Sequence, residues 1–316
     1  MTLDKTIGRR ATPKGRRPVH HSGLLGLETW AGLEGVPAIA ARTRAHLSTP
    51  GSGLATQMAD HLEAFNSTSD IVPYSGDYRL AHTEAQFQLC NSVRLAFYGF
   101  YSQAFVTLRS VCELSLMQST LPEGAASTDA EVNTVWFLGD RARVAGRLSP
   151  EIADSQEAWS VRGARIPSWQ SMMSRLLSSD LARRFDEETG VGARLRETFE
   201  SLNPFVHERG YLRSAMGLSG GSNLPGFSEE ALCQYASHRM RVAQLSVSIL
   251  LLAFLPTATF HPDAAAGFID PTDIGIALRV LPQKDAQLLR KIYVDLSVAA
   301  ESSNGCIQSD GAPRGR

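Results

Sequence analysis

At 316 residues, 43% hydrophobic and 20% charged, the chain is ordinary for a soluble globular protein and can bury a sizeable core, as one large domain or two small ones. A formal net charge of -1 excludes any global attraction to nucleic acid or anionic membrane. Four scattered cysteines, Cys90, Cys112, Cys233 and Cys306, form no CxxC pair, which argues against a disulfide or zinc framework and for reduced thiols in a cytoplasmic protein.

Residues 1–50 are rich in Gly, Pro, Arg and Thr and read as a basic, largely disordered tail and linker, with a short helix expected around Val36 to Leu47. From Met1 to His21, Lys5, Arg9, Arg10, Lys14, Arg16 and Arg17 stand against Asp4 alone, and the basic start leads into no apolar run of the kind a secretory leader needs. A single helical domain is expected over 51–300. Its first helix runs from Ser52 to Phe65, with Leu54, Met58, Leu62 and Phe65 as the apolar stripe, and a loop follows from Ser67 to Asp77.

The stretch from Glu84 to Met117 contains no proline and one glycine, Gly99. Apolar positions recur at helical spacing through Phe87, Cys90, the stem of Arg94, Phe97, Tyr101, Phe105, Leu108, Cys112 and Leu116. It is expected to be a long central helix, or a pair bent near Gly99, against which the others pack.

Beyond it the pattern predicts a helix from Asp129 to about Leu148 and another opening at Ser149-Pro150-Glu151. Short helices then fill Ser168 to Glu188, and a further helix runs from Ala193 to Leu202 after Gly190 and Gly192. A loop with five glycines spans Gly210 to Gly226. Ser228-Glu229-Glu230 opens a long helix ending by Pro256, and two more fill Pro271 to Ala300, leaving 301–316 as a polar, mobile tail. Within the long helix, Val242 to Leu255 is apolar but too short for a membrane span and is interrupted by Gln244, Ser246 and Ser248, so it reads as a buried helix. Period-2 alternation is scarce. The expected fold class is all-α, a helical bundle around 84–117.

The common phosphate-loop, dinucleotide, zinc-protease and calcium motifs do not occur. Gly217-Leu218-Ser219-Gly220-Gly221 matches GxSxG by letter, but the preceding GYLRSAM is not strand-like, so a flexible glycine loop explains it better than a nucleophile elbow. His20-His21 has no partner ligands nearby, and neither a metal nor a cofactor is expected.

Two places set polar chemistry in an apolar context. Arg109 and Glu113 lie one turn apart inside the greasiest part of the central stretch, as a surface-reaching pair, a buried clamp between helices or a functional pair. The second is Asn203-Pro204-Phe205-Val206-His207-Glu208-Arg209. Either Asn203 caps a short helix with Pro204 first and His207 in its opening turn, or the preceding helix ends at Leu202 and His207 sits in the turn.

An LRSVCEL helix followed about a hundred residues later by NPFVHERG and a long apolar helix resembles the HEPN superfamily of prokaryotic helical domains, over roughly Glu84 to Pro256. The resemblance is to a divergent bacterial branch. It implies a toxin–antitoxin or antiphage effector: a homodimer, with RNA, a protein partner or an antitoxin as ligand, and no membrane. Its ribonucleases cut RNA without metal and leave a cyclic phosphate. Asn203 and His207 match the family's motif; the motif arginine is replaced by Leu202. By this resemblance His207 is the general acid/base on the ribose 2′-hydroxyl or the leaving oxygen. Arg109 binds the scissile phosphate, Glu113 orients Arg109 or His207, and Arg209 is a second substrate-binding candidate. Val242 to Leu255 would supply part of a dimer interface. Two other readings stay open: a catalytically inactive HEPN-like binding or adaptor protein, and a plain helical protein whose polar residues are core clamps.

Overall fold

The computed structural model describes residues 35–72, 76–120, 168–206, 226–260 and 271–309. Among them are ten α-helices and no strand, as the all-α reading expects. In chain order they are α1 (Val36–Leu47), α2 (Leu54–Ser67), α3 (Gly76–Phe97), α4 (Tyr101–Thr120), α5 (Trp169–Leu176), α6 (Asp180–Thr189), α7 (Val191–Val206), α8 (Glu229–Phe260), α9 (Pro271–Arg279) and α10 (Gln283–Ser309). The helices expected over 129–148 and from 149 on, the GxSxG loop, His20-His21 and the basic tail lie outside the described residues.

The 84–117 stretch is not one long helix. Gly99 adopts φ +82°, and the amides of Gly99 and Phe100 donate to the carbonyls of Ala96 and Leu95, closing α3 with a left-handed cap. α3 and α4 then fold back on one another as a helical hairpin. A Cβ at Gly99 would sit 2.6 Å from the carbonyl oxygen of Gly226, whose amide donates to Gly99 at 3.4 Å, so the turn also seats the strap leading into α8.

This break corrects the expected stripe. On α4 it holds: Tyr101, Phe105, Leu108, Cys112 and Leu116 are buried. On α3 it fails, since Phe87 is 51% exposed and Arg94 is exposed, while Ala81, His82, Ala85, Leu89, Ser92 and Ala96 face inward. Carrying one 3.6-residue period across a chain reversal puts the register of one arm on the wrong face. The small residues of α3 let it lie close against α4.

α4 is the hub, packed by α3, α5, α7 and α8. α8 crosses it and also meets α2 and α10. From Val242 to Leu255, α8 buries Val242, Leu245, Val247, Ile249, Leu250, Leu251 and Leu255 within the fold of one chain, each apolar side chain contributing about 1.5–3 kcal/mol. Those side chains are therefore unavailable as a dimer interface. The polar interruptions also have places: Gln244 donates to the Val280 carbonyl at the end of α9, while Ser246 and Ser248 are buried. Taken as a whole, Glu229–Pro256 is long and apolar enough to cross a membrane by length and composition, and it is mostly buried inside the protein.

Several boundaries differ from expectation. α8 continues past Pro256 to Phe260; buried Phe254 and Leu255 anchor that turn, and the Thr259 hydroxyl donates to the Leu255 carbonyl at 2.7 Å. Gly190 closes α6 at φ +67°, but Gly192 lies buried inside α7, where its amide donates to Asp186. α10 runs to Ser309, so the expected C-terminal tail is helical up to that point. α1 is packed although it falls in the expected tail: Thr43 is buried, and the guanidiniums of Arg42 and Arg44 lie over the rings of Phe227 and Phe97 at 4.6 and 5.8 Å.

Candidate functional site

Helical spacing places Arg109 and Glu113 on one face of α4, and the structure pairs them: Arg109 Nε donates to Glu113 Oε1 at 3.1 Å. The two ends differ in environment. The Arg109 side chain is 14% exposed and that of Glu113 is 43% exposed, so the carboxylate stands at the rim and the guanidinium beneath it. The pair is neither sealed in the core nor loose on the surface.

Opposite this face runs α7. Its Phe205 stacks on Phe105 of α4 with ring centres 4.2 Å apart, and its Phe199 lies under the Arg109 guanidinium at 4.8 Å. The lower-numbered α4 residue meets the higher-numbered α7 residue, so the two helices run in opposite directions. Trp169, opening α5, stacks on Phe199 at 4.9 Å. An arginine over an aromatic face in a partly desolvated setting is held by cation–π attraction of about 1–2 kcal/mol.

Asn203 is one turn beyond Phe199 on α7. The structure overturns both readings of its surroundings: α7 neither ends at Leu202 nor restarts at Asn203 but continues through Asn203 and Pro204 to Val206. Pro204 falls in the last turn, where its missing N–H leaves only the carbonyl of exposed Glu200 without its helical donor. Leu202, fully buried, and Phe205 on Phe105 hold that turn in place.

The junction retains two polar atoms that the fold does not use. Arg109 Nη1 and Asn203 Oδ1 are both buried, and among the described residues neither has a hydrogen-bond partner. One is a donor on α4 and the other an acceptor on α7, two helices that pack together. A buried polar group without a partner costs about 1–3 kcal/mol, so such a pair marks a place suited to a ligand's polar atoms. His207 and Arg209 lie outside the described residues, and the arrangement of a guanidinium, a carboxylate and an imidazole is defined here only for its first two members. Among the described residues, no group of three His, Cys, Asp or Glu side chains comes together as a metal site.

Sequence reasoning missed a second polar concentration, between α2, α3 and α8. Arg239 of α8 is 1% exposed and donates through Nη1 to the Met58 carbonyl at 2.8 Å. Tyr235, one turn earlier, shares a 2.8 Å hydrogen bond with Ser92 of α3, and burial pushes its hydroxyl's pKa up. The signal was available: Tyr235, Arg239, Val242 and Ser246 fall on one helical stripe, and an arginine on an apolar stripe must find partners inside. Nearby, His82 of α3 lies flat on Phe65 at 5.0 Å, and burial first, then the Arg79 charge, lowers its pKa to about 4.

The cysteines divide by burial. Cys112 is fully buried, which pushes its thiol up to about 12, whereas Cys90, expected on the buried stripe, is half-buried and Cys233 is exposed; all three are free thiols.

Compared with protein-family models, with curated proteins and with solved structures, the chain has no match in any of the three.

Proposed function

We propose that the α4–α7 junction is the RNA-contacting site of a HEPN-like helical protein that binds RNA without cutting it. The observation that carries this reading is the pair of buried atoms without partners, Arg109 Nη1 and Asn203 Oδ1, on facing helices. An arginine N–H at a partly dry helix junction is a strong phosphate donor, and phosphate contacts supply most sequence-independent affinity for nucleic acid. Glu113 fixes the orientation of Arg109 from the rim, and Arg209 adds a second phosphate contact. Binding without cleavage is favoured by Leu202. The position of the resembled family's motif arginine holds a leucine that is fully buried, so the charge that would stabilise a phosphorane-like transition state is missing there. In this reading the protein is a cytoplasmic homodimer acting as an adaptor, or as a partner of an antitoxin, in a toxin–antitoxin or antiphage system.

The ribonuclease reading is favoured by the position of Asn203 in the last turn of α7, with His207 next after Val206. There His207 is the acid/base on the ribose 2′-hydroxyl or the leaving oxygen, and Arg109 holds the phosphate, with no metal.

Incubation of the purified chain with labelled single-stranded RNA and with total tRNA separates the two. Saturable binding with RNA of unchanged length supports the adaptor. Shortened RNA with cyclic phosphate ends, lost in His207→Ala, moves the conclusion to the nuclease. An absence of both binding and cleavage removes the two readings together.

A further inference from the structure

Adjacent carbonyls on one turn of α2 each accept from a side chain. The carbonyl of Gln57 accepts from His61 Nδ1 at 2.6 Å, and the carbonyl of Met58 accepts from Arg239 Nη1 at 2.8 Å. The imidazole and the guanidinium therefore reach the same turn, 7% and 1% exposed respectively, close enough for the Arg239 charge to act on the ring. Among the described residues, each keeps one buried atom with no hydrogen-bond partner: His61 Nε2 and Arg239 Nε. The tautomer follows from the geometry. A nitrogen facing a carbonyl oxygen must carry the proton, so Nδ1 is the donor and Nε2 presents a lone pair. Burial and the adjacent Arg239 charge both lower the proton affinity of the ring, which keeps Nε2 unprotonated.

A group joining these two atoms must accept from Arg239 Nε–H and donate to His61 Nε2. A halide, a carboxylate or a dianionic phosphate cannot donate, and an ammonium cannot accept. A hydroxyl can do both. We propose that Arg239 Nε and His61 Nε2 enclose a binding site for a single structural water, which joins α2 to α8 and completes the hydrogen bonding of the buried guanidinium. Polar, enclosed sites with two or more partners are where proteins keep long-lived water. The site lies on α2 and α8 and does not depend on the reading of the α4–α7 junction.

The test uses the full chain. Histidine-selective 15N spectroscopy reads the His61 tautomer in the unmodified protein, and 17O relaxation dispersion compares long-lived waters in wild type, His61→Leu and Arg239→Met. The expected result is an Nδ1–H tautomer whose Nε2 resonance shows an accepted hydrogen bond, with a long-lived water lost in His61→Leu. A protonated Nε2, or a wild-type spectrum in which Nε2 is free of any hydrogen bond, overturns the proposal even if neither variant folds. So does a His61→Leu protein that retains every long-lived water, or a His61 resonance that moves with added chloride or acetate, which would mark an anion site.

Discussion

His82 gives the sharpest handle on the fold. It lies 1% exposed on the inward face of α3, stacked on Phe65. Burial and Arg79 bring its pKa from 6.5 to about 4, and the neighbouring Gln118 side chain offsets this only in part. Because the folded value is the lower one, the unfolded chain binds the extra proton between these limits. The contribution is therefore fully present above about pH 6.5 and is lost as pH falls toward 4. At 1.36 kcal/mol for each tenfold change in proton affinity, the whole window is about 3 kcal/mol, of which about 2.5 kcal/mol is gone by pH 4.5. The assay is urea unfolding between about pH 7.5 and 4.5, on wild type and on His82→Phe, whose ring can keep the stack on Phe65. His61 and the carboxylates titrate in both proteins, so the difference isolates His82. The two stability curves should converge at neutral pH and separate, the variant higher, as acid is added. Parallel curves would refute the reasoning, since they would mean that the ring already reaches water.

Three other outcomes are expected. Gly99→Ala should cost about 2–4 kcal/mol by thermal unfolding and Gly190→Ala about 1 kcal/mol, because both demand positive φ but only Gly99 has backbone 2.6 Å from the added carbon; equal losses would deny the Gly226 contact. Asp285 is 3% exposed and pairs with Arg194 at 2.5 Å across α10 and α7, so Asp285→Asn should lower the urea midpoint by an amount equivalent to about 2–3 kcal/mol, and an unchanged midpoint would count against a buried pair. A maleimide probe on the native protein should modify Cys233 well before Cys112, with Cys112 reacting only on unfolding; mass spectrometry of labelled peptides reads the order.

Much of the fold is legible in short local signals. Ser168 and Ser179 accept from the amides of Ser171 and Ala182 at the starts of α5 and α6, Ser228 does the same for α8, and each helix begins where a capping serine precedes an apolar run. α1 begins and ends at the expected residues because Pro37 and the following Ser-Thr-Pro-Gly bound it. What is not legible depends on tertiary contact. Pro204 and Pro256 look like helix stops, yet Phe205 packed on Phe105 and Leu255 in the core carry both helices past them. The stripe on α3 was misplaced because Gly99 resets the register, and the partner that makes Gly99 necessary, Gly226, is distant in sequence. At the candidate site, the spacing of Arg109 and Glu113 is enough to read their pairing. The stacking of Arg109 on Phe199 is not, since α4 and α7 are far apart along the chain.

The central claim is that Arg109 presents a donor to RNA phosphate at the α4–α7 junction. Fluorescence anisotropy of a labelled single-stranded RNA, titrated with wild type and with Arg109→Met over a series of salt concentrations, measures it most directly. Folding of the variant is checked by circular dichroism. At least a tenfold weaker affinity is expected for the folded variant, with a log–log salt slope shallower by about 1. A folded Arg109→Met protein that binds RNA with wild-type affinity and salt slope would contradict it.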